Sequence, residues 1–213
     1  MKTPFYVFGA GGHTKCVIEA AIASGIRPDA TFDDCPEINN IFGIPVFKTS
    51  EFTLNKPFSF IVAIGNCQVR REKFELLIAA GGQPQTVIHP RAYISPSAQI
   101  GRGTVALHFS TADTGTRIGD NVILNIGCIV GHDGIVEDHA HVSGNVTLCG
   151  GARIRTGAWV GAGASVRQRL EIGENAFVGL GSTVVKDVPP RITVCNPVAA
   201  SPLVKNGNYG STS

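Results

Sequence analysis

Residues 129–154 read "IVGHDGIVEDHAHVSGNVTLCGGARI", and the spacing of the aliphatic side chains in this stretch decides the fold. Val130, Val136, Val142, Leu148 and Ile154 stand six residues apart. Extended in both directions, the phase runs from Ile88 to Val184 through 17 positions, 15 of them Ile, Leu or Val. It fails at Gly82 on one side and at Pro190 on the other. Four places after an anchor the residue is usually small, as at Ala92, Ala98, Cys128, Gly134, Ala140, Ala152, Ala158, Ala164 and Ala176.

A period of six matches neither the 3.6-residue turn of a helix nor the two-residue alternation of a strand. It suits a solenoid of very short strands separated by corners, with the large anchors stacked inside and small residues where the chain turns. The pattern resembles the left-handed parallel β-helix, whose triangular coil takes three hexads. Residues 18 apart then stack at sheet spacing, about 4.8 Å. This arithmetic sets Glu137 beside Arg155, Arg153 beside Glu171 and His132 beside Gly150. The β-helix is expected over 86–188, with a C-terminal tail over 189–213.

Residues 1–85 read differently. "FYVFGAGGHTKCVIEAAIASG" is a short apolar strand, a glycine-rich turn and a helix; "DATFDDC" is a second strand ending in acids; "FSFIVAIGNCQVRREKFELLIAAGG" repeats the strand–turn–helix order. The pattern predicts a half-Rossmann-like βαβαβ domain with a parallel sheet. Gly9, Gly11 and Gly12 let backbone approach a phosphate at a helix N-terminus, and Asp33 and Asp34 stand where a ribose-binding acid would. Thr14 occupies the third fingerprint position, so the dinucleotide signature is incomplete. Half a fold suits one nucleotide or a nucleotide sugar.

The composition fits an ordered soluble chain, 43% hydrophobic and 16% charged. No apolar run reaches the roughly 18 residues of a membrane span. A net charge of +2 gives no electrostatic case for nucleic acid. Six cysteines without a CxxC pair read as reduced thiols of a cytoplasmic protein.

"GAGGHTK" near the N-terminus, "AIGN" at 63–66 followed by Arg70, and hexads containing "GHD" and "HAHVSG" together resemble the bacterial sugar acyltransferases of the PglD/NeuD type. The resemblance spans about residues 4–198. It implies a homotrimer with an N-terminal nucleotide-sugar domain and a left-handed β-helix. It further implies acetyl transfer from acetyl-CoA to a nucleotide-linked 4-amino-4,6-dideoxy sugar, for surface glycan or glycoprotein assembly. The alternative within the family is O-acetylation of sialic acid or another glycan sugar. Carried over, it implies His132 as general base with Asp133 as its carboxylate partner, and His141 and the amide of Gly150 at acetyl-CoA. Asn125 matches an acceptor-side position. Gly11, Gly12, His13, Asp33, Asp34, Gly65, Asn66 and Arg70 match positions that hold the nucleotide. No metal is implied. The chain departs from the family at Gly131, where many members have Glu, and in "VCNPV" near its end.

The chemistry accommodates these residues. Acyl transfer from a thioester needs a base for the nucleophile's proton and donors for the developing oxyanion. Histidine suits the first role, a neighbouring carboxylate fixes its tautomer, and a glycine amide one coil away suits the second. Adjacent strand residues point to opposite faces, so His132 and Asp133 meet only if they lie at a corner. Three other readings compete: a zinc site recruiting His132, His139 and His141, a non-catalytic trimeric scaffold, and an NAD oxidoreductase, against which the incomplete fingerprint speaks.

Overall fold

The computed structural model describes residues 3–53 and 57–195. The front domain contains β1 (Phe5–Phe8), α1 (Gly12–Ala23), β2 (Ala30–Asp33), β3 (Asn40–Ile41), β4 (Ile44–Lys48), β5 (Ser59–Val62), α2 (Cys67–Ala79) and β6 (Gln83–Pro84). The sheet order is β3-β4-β2-β1-β5-β6, parallel except for the β3–β4 pair. The expected strands and helices are present, and the β3–β4 hairpin is an addition. Its turn uses positive φ at both Phe42 and Gly43, and the Asn40 side chain accepts from the Gly43 amide at 2.9 Å. A two-residue turn with φ positive at both positions matches strand twist, but phenylalanine is not a residue that announces one.

Burial on both sheet faces explains why β1 and β5 are almost continuously apolar. On one face Phe8, Phe32, Phe58, Phe60 and Phe74 form an aromatic cluster, with Phe8 and Phe60 edge to face at 6.4 Å. On the other, Val17, Ile18, Ala20 and Ala21 of α1 pack with Val7 and Ile61, and the same cluster continues into Val87, Val105, Leu107 and Ile123. The front domain therefore shares a core with the solenoid.

From Val87 the chain winds into three parallel sheets of seven, six and five two-residue strands. Strands along the first sheet pair at +18, as in Val105↔Ile123, Ile123↔His141 and His141↔Trp159. The hexad anchors point inward: Leu124, Val130, Val136, Val142, Leu148 and Ile154 are fully buried, with Ala140, Ala152, Ala158 and Ala164 filling the corners beside them. From Gly103 to Gly181 the corners turn at the third residue after an anchor, where φ is positive, as at Asn121 (55°), Gly127 (66°), Asp133 (58°), His139 (61°) and Asn145 (55°). Glycine and asparagine recur there because they tolerate the left-handed region.

The C-terminal boundary of the β-helix moves. The last coil is two residues short, so Ile172 bridges Val188 and Phe177 pairs with Thr193. That shortening is why the phase breaks at Pro190, and the β-helix runs past the expected 188 to Val194. The remainder of the expected tail, 196–213, lies outside the described residues. One side-chain pairing also differs. Glu137 takes Arg155 and Arg153, both at 3.1 Å, whereas Glu171 faces Arg155 at 3.8 Å. Arg153 keeps its backbone register with Glu171, but its guanidinium leans back one coil. All six cysteines are free thiols. No helix among the described residues is long and apolar enough to cross a membrane.

Candidate active site

The C-terminal ends of β1, β2 and β5 meet at one edge of the sheet, where the loops Gly9–Gly12, Asp33–Asp34 and Ala63–Asn66 face one another. In open α/β sheets this is the crevice that takes ligands, and the α1 and α2 N-termini direct unpaired amides toward it. Gly9 is required by the backbone: φ is 111° and a β-carbon would meet the Ala63 carbonyl and the Ile64 side chain at 3.0 Å. Gly11, Gly12 and Gly65 differ, since a β-carbon on any of them would meet nothing within 4 Å. That open space is what an approaching ligand needs.

Several acids and amides expected to hold nucleotide are also engaged within the chain. Asp33 accepts from the Ala10 amide at 2.7 Å and the Cys35 amide at 2.9 Å, so it braces the glycine turn. Asn66 caps α2 by accepting from the Val69 amide at 3.0 Å. Asp34 is exposed and pairs with Lys73 at 2.9 Å, and that hydrogen bond holds its carboxyl below the usual carboxylate range.

Arg70, expected at the nucleotide, turns inward. It is 1% exposed and gives all five N–H donors to backbone carbonyls. Nε donates to Asn121 (3.1 Å), Nη1 to Ile64 (2.9 Å) and Gly65 (3.0 Å), and Nη2 to His139 (2.6 Å) and Ala140 (3.1 Å). No donor is left for a nucleotide. The arginine instead ties the crevice loop to the β-helix.

Beside it, His141 donates from Nδ1 to the Gly65 carbonyl at 3.1 Å, because a carbonyl only accepts. Its ring stacks on Trp159, with centroids 5.0 Å apart and planes 18° from parallel. Asn125 turns its amide nitrogen to His141 Nε2 at 3.4 Å, while its oxygen accepts from the Ile126 amide. His13 of α1 lies 6.3 Å from His141, and its Nε2 is buried with no hydrogen-bond partner among the described residues. Burial, then the Arg70 charge, pushes His13 down to about 4 and His141 to about 3, so both imidazoles are neutral. Sequence reasoning misses Trp159 and Ser143, which accepts from the indole N–H at 2.8 Å. The 18-residue arithmetic points to Trp159, one coil beyond His141.

The second cluster lies at the corner between the second and third sheets. His132 and Asp133 meet there because Asp133 turns the corner in the left-handed region, and His132 Nδ1 lies 2.9 Å from Asp133 Oδ2. A carboxylate only accepts, so Nδ1 carries the proton and Nε2 is left bare. Gly150 sits one coil on, joined by the Gly151 amide to the His132 carbonyl at 2.8 Å. A β-carbon built on Gly150 would collide with His132 Nε2. The amide at this position of a corner has no strand partner, and elsewhere side chains cap it: Asp120 caps Arg102, Asp138 caps Asp120, and Glu137 caps Thr156. No acceptor among the described residues takes the Gly150 amide. The His132 and Asp133 side chains are 68% and 75% exposed. An imidazole with a bare Nε2, the carboxylate bonded to it and an available amide therefore face one open edge.

Residues 5–77 match the family model described as the PglD N-terminal domain. A GDP-perosamine N-acetyltransferase from Escherichia coli O157:H7 is 32% identical over 203 residues, 89% of this chain and 91% of that one. The chain belongs to the PglD-type sugar N-acetyltransferases. Two solved structures agree with it in fold. The acetyltransferase domain of PglB from Neisseria gonorrhoeae FA1090, in complex with acetyl coenzyme A, is 33% identical with a TM-score of 0.85, covering 92% of this chain and 97% of that one. PerB from Caulobacter crescentus, in complex with CoA and GDP-perosamine, is 28% identical with a TM-score of 0.82, covering 91% and 94%.

In this PglD-type chain the two clusters are apart. The front domain packs on the first sheet, which carries Asn125 and His141, whereas His132 and Gly150 lie at the corner joining the other two sheets. In a three-sided coil that corner is opposite the first sheet. One chain thus brings His132, Asp133 and Gly150 together, and separately gathers His13, Asn125 and His141. The three histidines of a zinc reading are likewise dispersed, with His139 packed on Phe74 at 5.7 Å and accepting from Asn121 at 2.9 Å. No group of three or more His, Cys, Asp or Glu among the described residues could hold a metal ion.

Proposed function

We propose that the protein transfers an acetyl group from acetyl-CoA to the 4-amino group of a GDP-linked 4-amino-4,6-dideoxy sugar such as GDP-perosamine. The observation that carries this reading is His132, oriented by Asp133, stacked over an uncapped glycine amide in a chain of this family. The front-domain crevice supplies the nucleotide handle through the backbone of Gly11, Gly12 and Gly65, with Asp33 and Asp34 beside it.

The sugar amine attacks the thioester carbonyl carbon, and His132 Nε2 takes the proton released as the C–N bond forms. Asp133 stabilises the resulting imidazolium and keeps the tautomer correct. The Gly150 amide donates to the oxygen on which negative charge develops. As the C–S bond breaks, the proton passes from the imidazolium to the departing CoA sulfur, and N-acetyl sugar and CoA leave. His13 and His141 are neutral and serve as hydrogen-bonding walls, not as acids.

The separation of the two clusters supports a homotrimer in which the His132 corner of one copy closes on the front domain and first sheet of the next. An acetyl-CoA-consuming enzyme of this kind works in the cytoplasm, ahead of surface glycan or glycoprotein assembly. The test is free-thiol release from acetyl-CoA with GDP-, UDP- and dTDP-linked amino sugars and with sialic acid. Release is expected with a nucleotide-linked amino sugar, GDP-perosamine first. Release with sialic acid alone overturns the proposal.

A further inference from the structure

We infer that Arg70 is a positioning residue for the reaction: its guanidinium holds the Gly65 carbonyl where that carbonyl fixes the His141 imidazole, so one side chain sets the crevice against the β-helix wall. The inference rests on the sugar N-acetyltransfer proposed above.

A fully buried arginine is an unusual choice for filling an interdomain gap, since an apolar side chain would avoid the desolvation of a charge. Among the described residues no carboxylate pairs with it; Cys67 Sγ, at 3.7 Å, is its side-chain partner, and burial keeps that thiol protonated. Its other partners are five carbonyls from three segments that are distant in sequence. Ile64 and Gly65 lead directly into Asn66, the cap of α2, at the crevice. His139 and Ala140 lead directly into His141, and Asn121 belongs to the coil beneath. A planar fork with five donors fixes these carbonyls relative to one another in a way that the three rotatable donors of lysine do not.

The Gly65 carbonyl is the shared element. It accepts from Arg70 Nη1 at 3.0 Å and from His141 Nδ1 at 3.1 Å. The second bond places the His141 proton on Nδ1 and leaves Nε2 bare, facing the Asn125 amide. Moving the Gly65 carbonyl would release both the tautomer of His141 and the loop that frames the nucleotide.

The experiment compares the full-length wild type with Arg70→Lys and Arg70→Ala. Three quantities are read: the ¹⁵N NMR signature of the His141 tautomer, the split of KM and kcat for GDP-perosamine, and rescue of Arg70→Ala by millimolar guanidinium. In the wild type His141 should show a single Nδ1–H species. Arg70→Lys should give mixed tautomers and raise the KM for GDP-perosamine by about tenfold or more, with a smaller change for acetyl-CoA. Guanidinium should reverse the effect in Arg70→Ala. A lowered Tm in Arg70→Lys with the tautomer and KM unchanged would reduce Arg70 to a structural clamp and overturn the inference. If Arg70→Ala does not fold, the lysine variant decides. Wild type that releases no thiol with any nucleotide-linked amino sugar defeats the proposed function instead, and the tautomer readout still judges Arg70.

Discussion

His132 Nε2 occupies the space that a β-carbon on Gly150 would fill, one coil further along the β-helix. The contact joins the imidazole proposed as the base to the amide that faces the same edge, and Gly150 has no positive φ that would make alanine strained by backbone alone. Gly150→Ala should therefore displace the imidazole without disturbing the coil. The expected result is a fall in kcat of about 10²–10³-fold, with an unchanged far-UV spectrum and oligomer size.

Asp133 carries two separable loads, one electrostatic and one conformational. The asparagine of an Asp133→Asn variant tolerates the left-handed corner but lacks the charge that stabilises an imidazolium. Stability should be retained while kcat falls by about 10²–10⁴-fold, comparable with His132→Ala. Asp133→Ala should add a stability loss of about 1 kcal/mol from the positive φ, measurable in denaturant. Equal activity in Asp133→Asn and wild type would remove the pair from the mechanism.

Gly9 and Gly12 make an opposed pair of tests. Gly9→Ala forces a β-carbon at φ 111° against the Ala63 carbonyl, and should destabilise the fold by about 1–3 kcal/mol. Gly12→Ala places a better helix former in the first turn of α1 with open space around it, so Tm should hold or rise. What Gly12→Ala should lose is affinity, as a raised KM for the nucleotide sugar. Unaltered KM would mean that no ligand approaches this backbone.

The neutral histidines make stability depend on pH in a stated direction. His13 and His141 titrate near 6.5 when unfolded, and near about 4 and about 3 in the folded protein, because burial and the Arg70 charge disfavour their protonated forms. Below 6.5 the unfolded chain binds protons that the folded chain does not, so stability is full above 6.5 and declines as pH falls. The decline continues through about 4 for His13 and about 3 for His141. Each ring adds a slope approaching about 1.4 kcal/mol per pH unit. Urea titrations between about pH 7 and pH 4 should show the loss, and a His141→Gln variant should show a shallower one.

The β-helix is legible because every hexad faces the same packing problem. An inward anchor such as Val142 must match Leu124 and Val160 on its neighbours, so the interior writes one residue class into the chain at a fixed interval. His132 over Gly150 follows from the same arithmetic. The two-residue deletion after Val184 is visible only as a lost phase, since a shortened coil and the end of a solenoid look alike in sequence. The inward turn of Arg70 is hidden in the sequence for a different reason. Its partners on the β-helix are backbone carbonyls 51 to 70 residues away, and a carbonyl belongs to every residue type.

What could be known before any coordinates was therefore periodic or local: the coil length, the stacking of positions 18 apart, the glycine turn and the family motifs. What required the folded chain was the meeting of segments that share no period. The docking of α1 on the first sheet, the commitment of Arg70, and the approach of His13 to His141 all depend on interdomain packing. Repetition leaves a record in sequence because each repeat imposes the same constraint again. A single junction between unlike domains imposes its constraint once, on atoms whose identity the residue letters do not encode.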